Sequence, residues 1–198
     1  MARIYLIRHA ATADTGVRLT GRLPGVGLDA AGRAEAAAVA RTLSDIAFAA
    51  VYTSPLRRCR ETARAIAVPH HLDPIPYRSL IEVDYGSWSG RTFKSLNRLK
   101  AARLLSAAPS RVTFPGGESL AGVQARAVAA CEDLAATHAG RTIALVSHGD
   151  VIRTILAHYL GIPLDLFRRL MIDAASISIV SLAAGAPPEV AAVNRTAG

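Results

Sequence analysis

Ile4-Tyr5-Leu6-Ile7-Arg8-His9-Ala10 is a short apolar run, rich in strand-forming residues, that ends abruptly in a cation and an imidazole. A buried strand delivers such side chains to the edge of a sheet with little freedom to move. In open α/β sheets, ligands collect in the crevice beyond the carboxyl ends of the strands, so Arg8 and His9 are expected at its rim. A second run repeats the design: Thr142-Ile143-Ala144-Leu145-Val146 reads as a buried strand and passes into Ser147-His148-Gly149-Asp150 before a helical pattern begins. Two strands therefore end in histidine.

The 198 residues suffice for one sizeable domain, and no break in composition argues for two. Hydrophobic residues make up 51%, which excludes a disordered chain. The longest apolar runs fall far short of the ~20 residues a membrane span needs. Arg8 interrupts the amino terminus after only four apolar residues, too few for a signal-peptide core, so a cytoplasmic location is expected. Cys59 and Cys131 lie in expected helices without C-x-x-C spacing and read as core fillers.

The net charge of +8 comes almost wholly from arginine, since Lys94 and Lys100 are the only lysines among 23 basic residues. Arginine presents a planar fork matched to phosphate oxygens. A nucleic-acid surface would use it too, but the arginines are scattered, aromatics reach only 5%, and no basic run or binding motif is present. An anionic small substrate is the expected partner, with no nucleic acid and no membrane.

Ala11 to Leu28 is a loop without periodicity, long enough to suggest a binding role. Within it Gly25-Val26-Gly27-Leu28-Asp29-Ala30 matches a dinucleotide fingerprint, but no strand precedes it, so the match is rejected. Asp29 then reads as the N-cap of a helix to about Leu43. Phe48 to Thr53 reads as the second strand, followed by a helix capped by Ser54 with Pro55 at its first position. Of its arginines, Arg58 in the first turn is expected to meet an anion at the helix start, and Arg57 and Arg60 to be solvated.

His70-His71 reads as surface. Leu80 to Gly90 carries Glu82 and Asp84 with aromatics between glycines, which suits a loop closing over a pocket. One of these carboxyls, held protonated by partial burial, could serve as a general acid. Phe93 to Ser106 is helical and basic on one face, part of an expected lid over about 85–117. A long helix follows from Leu120, with His138 and Gly140 at its end, then a helix over Val151 to Leu160 in which His158 reads as packed. Ser176 to Leu182 and Val190 to Val193 read as closing strands, with a frayed tail from Asn194.

Two histidines and two arginines at strand ends and a helix start form a cationic cage sized for one phosphoryl group. Such chemistry is mostly positioning and charge stabilisation. No G-x-x-x-x-G-K-[ST] loop is present, which argues against magnesium-dependent nucleotide hydrolysis. A neutral His9 could attack phosphorus, cationic neighbours keeping it unprotonated, while Glu82 donates a proton to the leaving oxygen and later takes one from water. A metal reading would use both histidines with Asp14, Asp84 or Asp150, and the adjacent arginines weaken it.

Arg8-His9, Ser54-Pro55-Leu56-x-Arg58 with Glu61-Thr62-Ala63, Glu82-x-x-Tyr85-Gly86-x-Trp88-x-Gly90, and Ser147-His148-Gly149 together resemble the four signatures of the histidine phosphatase superfamily, the phosphoglycerate-mutase-like proteins. The match spans about residues 3–182. It implies a three-layer α/β/α sandwich with a mostly parallel central sheet and a transient phosphate on His9. By matching position, Arg8, Arg58 and His148 would form the phosphate pocket and Glu82 would be the proton donor. Thr15, Thr20, Gly21 and Gly149 fall where members often meet substrate. No cofactor and no metal is implied.

Two departures stand out. The family's Arg-His-Gly is Arg8-His9-Ala10 here, tolerable if that backbone needs no positive φ. Its Trp-Glu-Gly is Trp88-Ser89-Gly90, which leaves Glu82 as the main acid and Asp84 in reserve. Cofactor-dependent phosphoglycerate mutases carry longer chains, so the resemblance is to the small bacterial phosphatases and hydrolysis is expected. A mutase, or a non-catalytic phosphoryl-binding module, is the alternative.

Overall fold

The computed structural model describes residues 1–98, 104, 105 and 107–197. Its strands are β1 (Ala2–Arg8), β2 (Phe48–Thr53), β3 (Ile75–Pro76), β4 (Thr142–Ser147), β5 (Ile177–Leu182) and β6 (Glu189–Arg195). Its α-helices are α1 (Ala30–Thr42), α2 (Arg57–Ala67), α3 (Phe93–Leu96), α4 (Leu120–Thr137) and α5 (Gly149–Tyr159). The six strands form one mixed sheet in the order β3-β2-β4-β1-β5-β6. From β3 to β1 neighbouring strands run parallel, and β5 is antiparallel to both β1 and β6.

The alternation of strand side chains builds the layers. Tyr5 and Ile7 of β1 join Val39 of α1 and Ile66 of α2 in one buried cluster, while Ile4 and Leu6 join Val123 of α4 and Ile155 of α5 in another. The sheet is thus covered on both faces, which a largely parallel sheet of continuous apolar strands requires. The α/β/α sandwich implied by the sequence is the architecture found.

The parallel register of β1 and β4 decides where the two histidines fall. Arg8 stands opposite Ser147, and the His9 amide donates to the Ser147 carbonyl at 2.9 Å, so both strands release their histidines at one sheet edge. On one side α1 is anchored by Asp29, whose carboxylate accepts from the Gly32 amide at 2.7 Å, as expected.

Several local expectations need correction. The second helix begins at Arg57, with Leu56 in the capping place and no side-chain cap; Ser54 is committed to His148 instead. Pro55 already lies outside the helix, and the two-residue β3 is too short for periodicity to reveal. Asn194 is not frayed: its side chain accepts from the Asp173 amide at 2.6 Å and donates to the Asp173 carboxylate at 2.8 Å, keeping β6 paired to Arg195. His158 is exposed rather than packed.

The loop at 80–90 is not a free flap. Tyr85 and Trp88 are buried against Phe114, and a side chain on Gly86 would collide with the Pro115 carbonyl. Of the helix expected over 93–106, α3 and helical residues Leu104, Leu105 and Ala107 are seen; 99–103 and 106 lie outside the described residues. No helix among the described residues is long and apolar enough to cross a membrane.

Candidate active site

A cavity of about 460 Å³ opens at the carboxyl edge of the sheet. Arg8, His9, Arg58 and Glu82 line it, together with Thr15, Thr20, Gly21 and Gly149. These candidates are brought to one place from both ends of the chain, whereas His148, expected in the phosphate pocket, is not on the cavity wall.

His9 sits just beyond β1 and is buried. Its Nδ1 donates to the Ala10 carbonyl at 2.8 Å, and its Nε2 accepts from Nε of Arg58 at 3.2 Å. A guanidinium only donates, so Nε2 carries the lone pair. Burial first, then the charge of Arg58, push the imidazole down to about 3; the Ala10 carbonyl bond opposes them, and Arg8 adds a smaller push downward. The ring is neutral in any ordinary buffer, and its bare nitrogen faces the arginines.

Arg58, in the first turn of α2, is 2% exposed. Beyond His9 it donates through Nη2 to the Gly21 carbonyl at 2.8 Å and to Nδ1 of His148 at 3.1 Å. Arg8 donates through Nη1 to the Ile172 carbonyl at 2.7 Å. Nη1 of Arg58 and Nε of Arg8 are buried with no hydrogen-bond partner among the described residues. Leaving such donors unpaired costs about 1–3 kcal/mol or more each, which an anion between them would relieve.

His148 is wholly buried and stands one layer behind that wall. Its Nδ1 accepts from Arg58, and its Nε2 faces Ser54 Oγ at 2.8 Å and Cys59 Sγ at 3.4 Å. Burial, then Arg58, His9 and Arg8, hold it well below the ordinary histidine range. The 3.7 Å approach of Glu82 Oε2 to its Nδ1 is accordingly a neutral contact, not an ion pair.

Glu82 is 8% exposed, and Oε1 accepts from the Val83 amide at 2.9 Å. Burial pushes its carboxyl up, to about 7, and Asp150 adds to the rise; Arg58, the Val83 bond and Arg8 oppose it. A protonated carboxyl beside a neutral imidazole and two guanidinium groups can protonate a leaving oxygen while the imidazole attacks.

Asp84 does not share this place. Its carboxylate accepts from the Gly86 amide at 3.0 Å and from Arg22 at 3.4 Å, and it is not among the cavity-lining residues. The carboxylates of the metal reading are likewise committed: Asp14 to Arg18 and Thr20, Asp150 to Arg153 and Tyr85. Among the described residues no group of three His, Cys, Asp or Glu is placed to hold a metal ion.

The secondary candidates have structural duties. Thr15 Oγ1 accepts from the Thr12 amide at 2.9 Å, Thr20 Oγ1 donates to Asp14 at 3.2 Å, and Gly149 opens α5 against the Arg8 guanidinium. Arg57 is exposed and paired with Glu61, and Arg60 is exposed, as expected of a solvated face. Sequence reasoning missed Arg18, Arg153 and Arg168 on the cavity wall and the Tyr85–Asp150 bond of 2.7 Å. Position 150, in the first turn after a strand-end histidine, was the available signal.

Comparison with known proteins shows the family and the fold. The model of the histidine phosphatase superfamily (branch 1) matches residues 4–196. Phosphoserine phosphatase 1 of Hydrogenobacter thermophilus is 32% identical over 187 residues, covering 92% of this chain and 87% of that protein. Among solved structures, Bacillus stearothermophilus YhfR superposes with a TM-score of 0.89 at 28% identity, with 96% of each chain covered. A mycobacterial glucosyl-3-phosphoglycerate phosphatase does so with a TM-score of 0.87 at 26% identity, covering 98% of this chain and 99% of that one.

Proposed function

Because this chain belongs to the histidine phosphatase superfamily, we propose that it hydrolyses phosphate monoesters of small metabolites through a phosphohistidine on His9. Its relatives named as phosphoserine and glucosyl-3-phosphoglycerate phosphatases support a small phosphorylated substrate. The observation that carries the mechanism is the bare Nε2 of His9, held 3.2 Å from Arg58 beside unpaired guanidinium donors.

In the first step the Nε2 lone pair of His9 forms a bond to phosphorus as the ester P–O bond breaks. Glu82 gives its proton to the departing oxygen, which leaves as the alcohol. In the second step water attacks phosphorus, Glu82 takes its proton, and the P–N bond breaks to return the lone pair to Nε2. Arg8 and Arg58 hold the phosphoryl oxygens, over which the charge is spread in transit. His148, neutral and behind Arg58, acts on the phosphate through that guanidinium, whose direction it helps to set. Thr15, Thr20, Gly21 and Gly149 would shape the substrate side. No metal or cofactor takes part in this scheme, and we infer a single domain with a lid over about 85–117 that acts in the cytoplasm.

The test is rapid-mixing hydrolysis of p-nitrophenyl phosphate in excess EDTA with an alkaline quench, on wild type and His9→Ala. Turnover with a trapped phosphoenzyme in wild type alone is the expected result. Turnover without a phosphoenzyme, or requiring added bisphosphoglycerate, would replace this reading by direct hydrolysis or by a mutase.

A further inference from the structure

The Ala10–Ala11 peptide is held at both of its polar ends, and both ends matter to His9. Its carbonyl accepts from Nδ1 of His9 at 2.8 Å, and its N–H donates to Oε2 of Glu35 at 2.8 Å. Glu35 lies on α1, outside the cavity wall. The first turn of α1 is pressed onto the same segment: a side chain on Gly32 would collide with the Ala11 carbonyl, which also accepts from the Asp29 amide at 3.3 Å. The Ala10 amide is fixed in turn by Thr62 Oγ1 at 3.1 Å.

A peptide group is one conjugated unit. A carboxylate on its N–H draws the proton outward and shifts electron density toward the carbonyl oxygen, strengthening the bond that oxygen accepts. Chained hydrogen bonds reinforce one another by roughly 10–30% each, and a charged acceptor makes the strongest contribution. We infer that Glu35 is a positioning residue for the nucleophile, a carboxylate that acts on His9 through the Ala10–Ala11 peptide. This rests on the phosphohistidine reading above.

The relay has two effects. It fixes the proton on Nδ1, so the lone pair stays on Nε2 where the arginines converge. It also offers negative charge to the imidazole as its ring becomes positive during P–N bond formation. The second effect grows toward the transition state, so it belongs in kcat and not in KM.

Glu35→Gln separates charge from geometry, because an amide oxygen accepts the same N–H without a full charge. Phosphoenzyme formation from p-nitrophenyl phosphate is expected to slow about 2- to 5-fold in Glu35→Gln, with KM and thermal midpoint unchanged. Glu35→Ala should slow it by about 10- to 100-fold, the range known for partners that orient metal-binding histidines. In ¹⁵N-histidine spectra, with His9→Ala to assign the ring, wild type should show Nδ1 protonated. Glu35→Gln should shift that nitrogen and Glu35→Ala should mix the two tautomers.

Equal rates in all three proteins, or full restoration of the wild-type rate and His9 spectrum by glutamine, would overturn the charged relay. If wild type forms no phosphoenzyme while the His9 spectrum still follows residue 35 as described, the proposed reaction falls and the relay stands.

Discussion

Nε of Arg58 donates to Nε2 of His9 across 3.2 Å. The bond joins the candidate nucleophile to the cation that would receive its target, so the phosphoryl group must take the place of the imidazole on that N–H. The same guanidinium is held by the Gly21 carbonyl and His148, so it can exchange one partner without moving. Preorganisation of this kind stabilises charge that develops in the transition state without a reorganisation cost.

Arg58→Ala is therefore expected to lower kcat/KM by about 10²- to 10³-fold, the usual loss for one donor to a developing anion. It should also raise the acid limb of the pH profile, because Arg58 is the second cause, after burial, of the depressed His9 titration. Arg58→Lys keeps the charge but not the fork, so it should lose rate while moving the limb less. An acid limb fixed across all three proteins would mean that His9 does not set it.

For His9→Ala the expectation is complete loss of turnover and of the alkali-stable phosphoenzyme, with circular dichroism and thermal midpoint near wild type. Among the described residues the side chain bonds to Ala10 and Arg58, neither through a strand hydrogen bond, so the sheet does not depend on it. A folded variant with near-normal hydrolysis would remove His9 from the chemistry.

Gly32→Ala should reverse the usual sign of its substitution. Alanine inside a helix ordinarily gains about 0.5–1 kcal/mol over glycine. Here the added methyl would meet the Ala11 carbonyl, so α1 must move off the segment that carries His9. Loss of thermal stability together with loss of phosphoenzyme formation is expected, and a stabilised, fully active variant would show that the segment yields freely.

What the sequence made legible were features that act locally. Apolar runs ending in His9 and His148 announced the strands and the sheet edge, and Asp29 announced its helix. Ala10 fits because no positive φ is needed there, the left-handed non-glycine residues being His71, Ala175 and Asn194 among those described. Contacts between distant segments were not legible. Ser54 reads as a cap in sequence, yet only the register of β2 beside β4 puts its hydroxyl on His148. Asp84 and Glu82 differ by two positions and would be interchangeable by composition. Arg22, from the loop after β1, separates them by tying the Asp84 carboxylate and the Glu82 backbone carbonyl, leaving the Glu82 carboxyl turned to the site.

Asp150→Asn tests how Glu82 keeps its proton. Asp150 is the second cause of the raised Glu82 titration, and its carboxylate also neutralises Arg153 at the cavity wall. The asparagine should move the alkaline limb of kcat/KM to lower pH, since a repelling anion is lost and a cation is released. A limb that rises or stays fixed would show that Asp150 does not help to hold the proton on Glu82.

Glu82 itself yields a pH prediction of definite sign. Its carboxyl is pushed up to about 7 and must be protonated to donate, whereas His9, pushed down to about 3, must be neutral to attack. Activity is expected to hold between these limits and to fall as pH rises through about 7. The substrate phosphate's own ionisation near ~6 adds an inflection that every variant shares. Glu82→Gln should lose the alkaline limb and roughly 10²- to 10⁴-fold in rate on an alkyl phosphate. p-Nitrophenyl phosphate should suffer less, because its leaving group needs no proton; equal losses on both would remove Glu82 from the acid role. Stability follows the same proton. The folded state keeps it up to about 7, while the unfolded chain releases it near 4.5, so wild type should lose stability as pH rises through that window. Thermal midpoints at pH values on either side should drop more for wild type than for Glu82→Gln, and parallel drops would show that Glu82 is not the group that titrates.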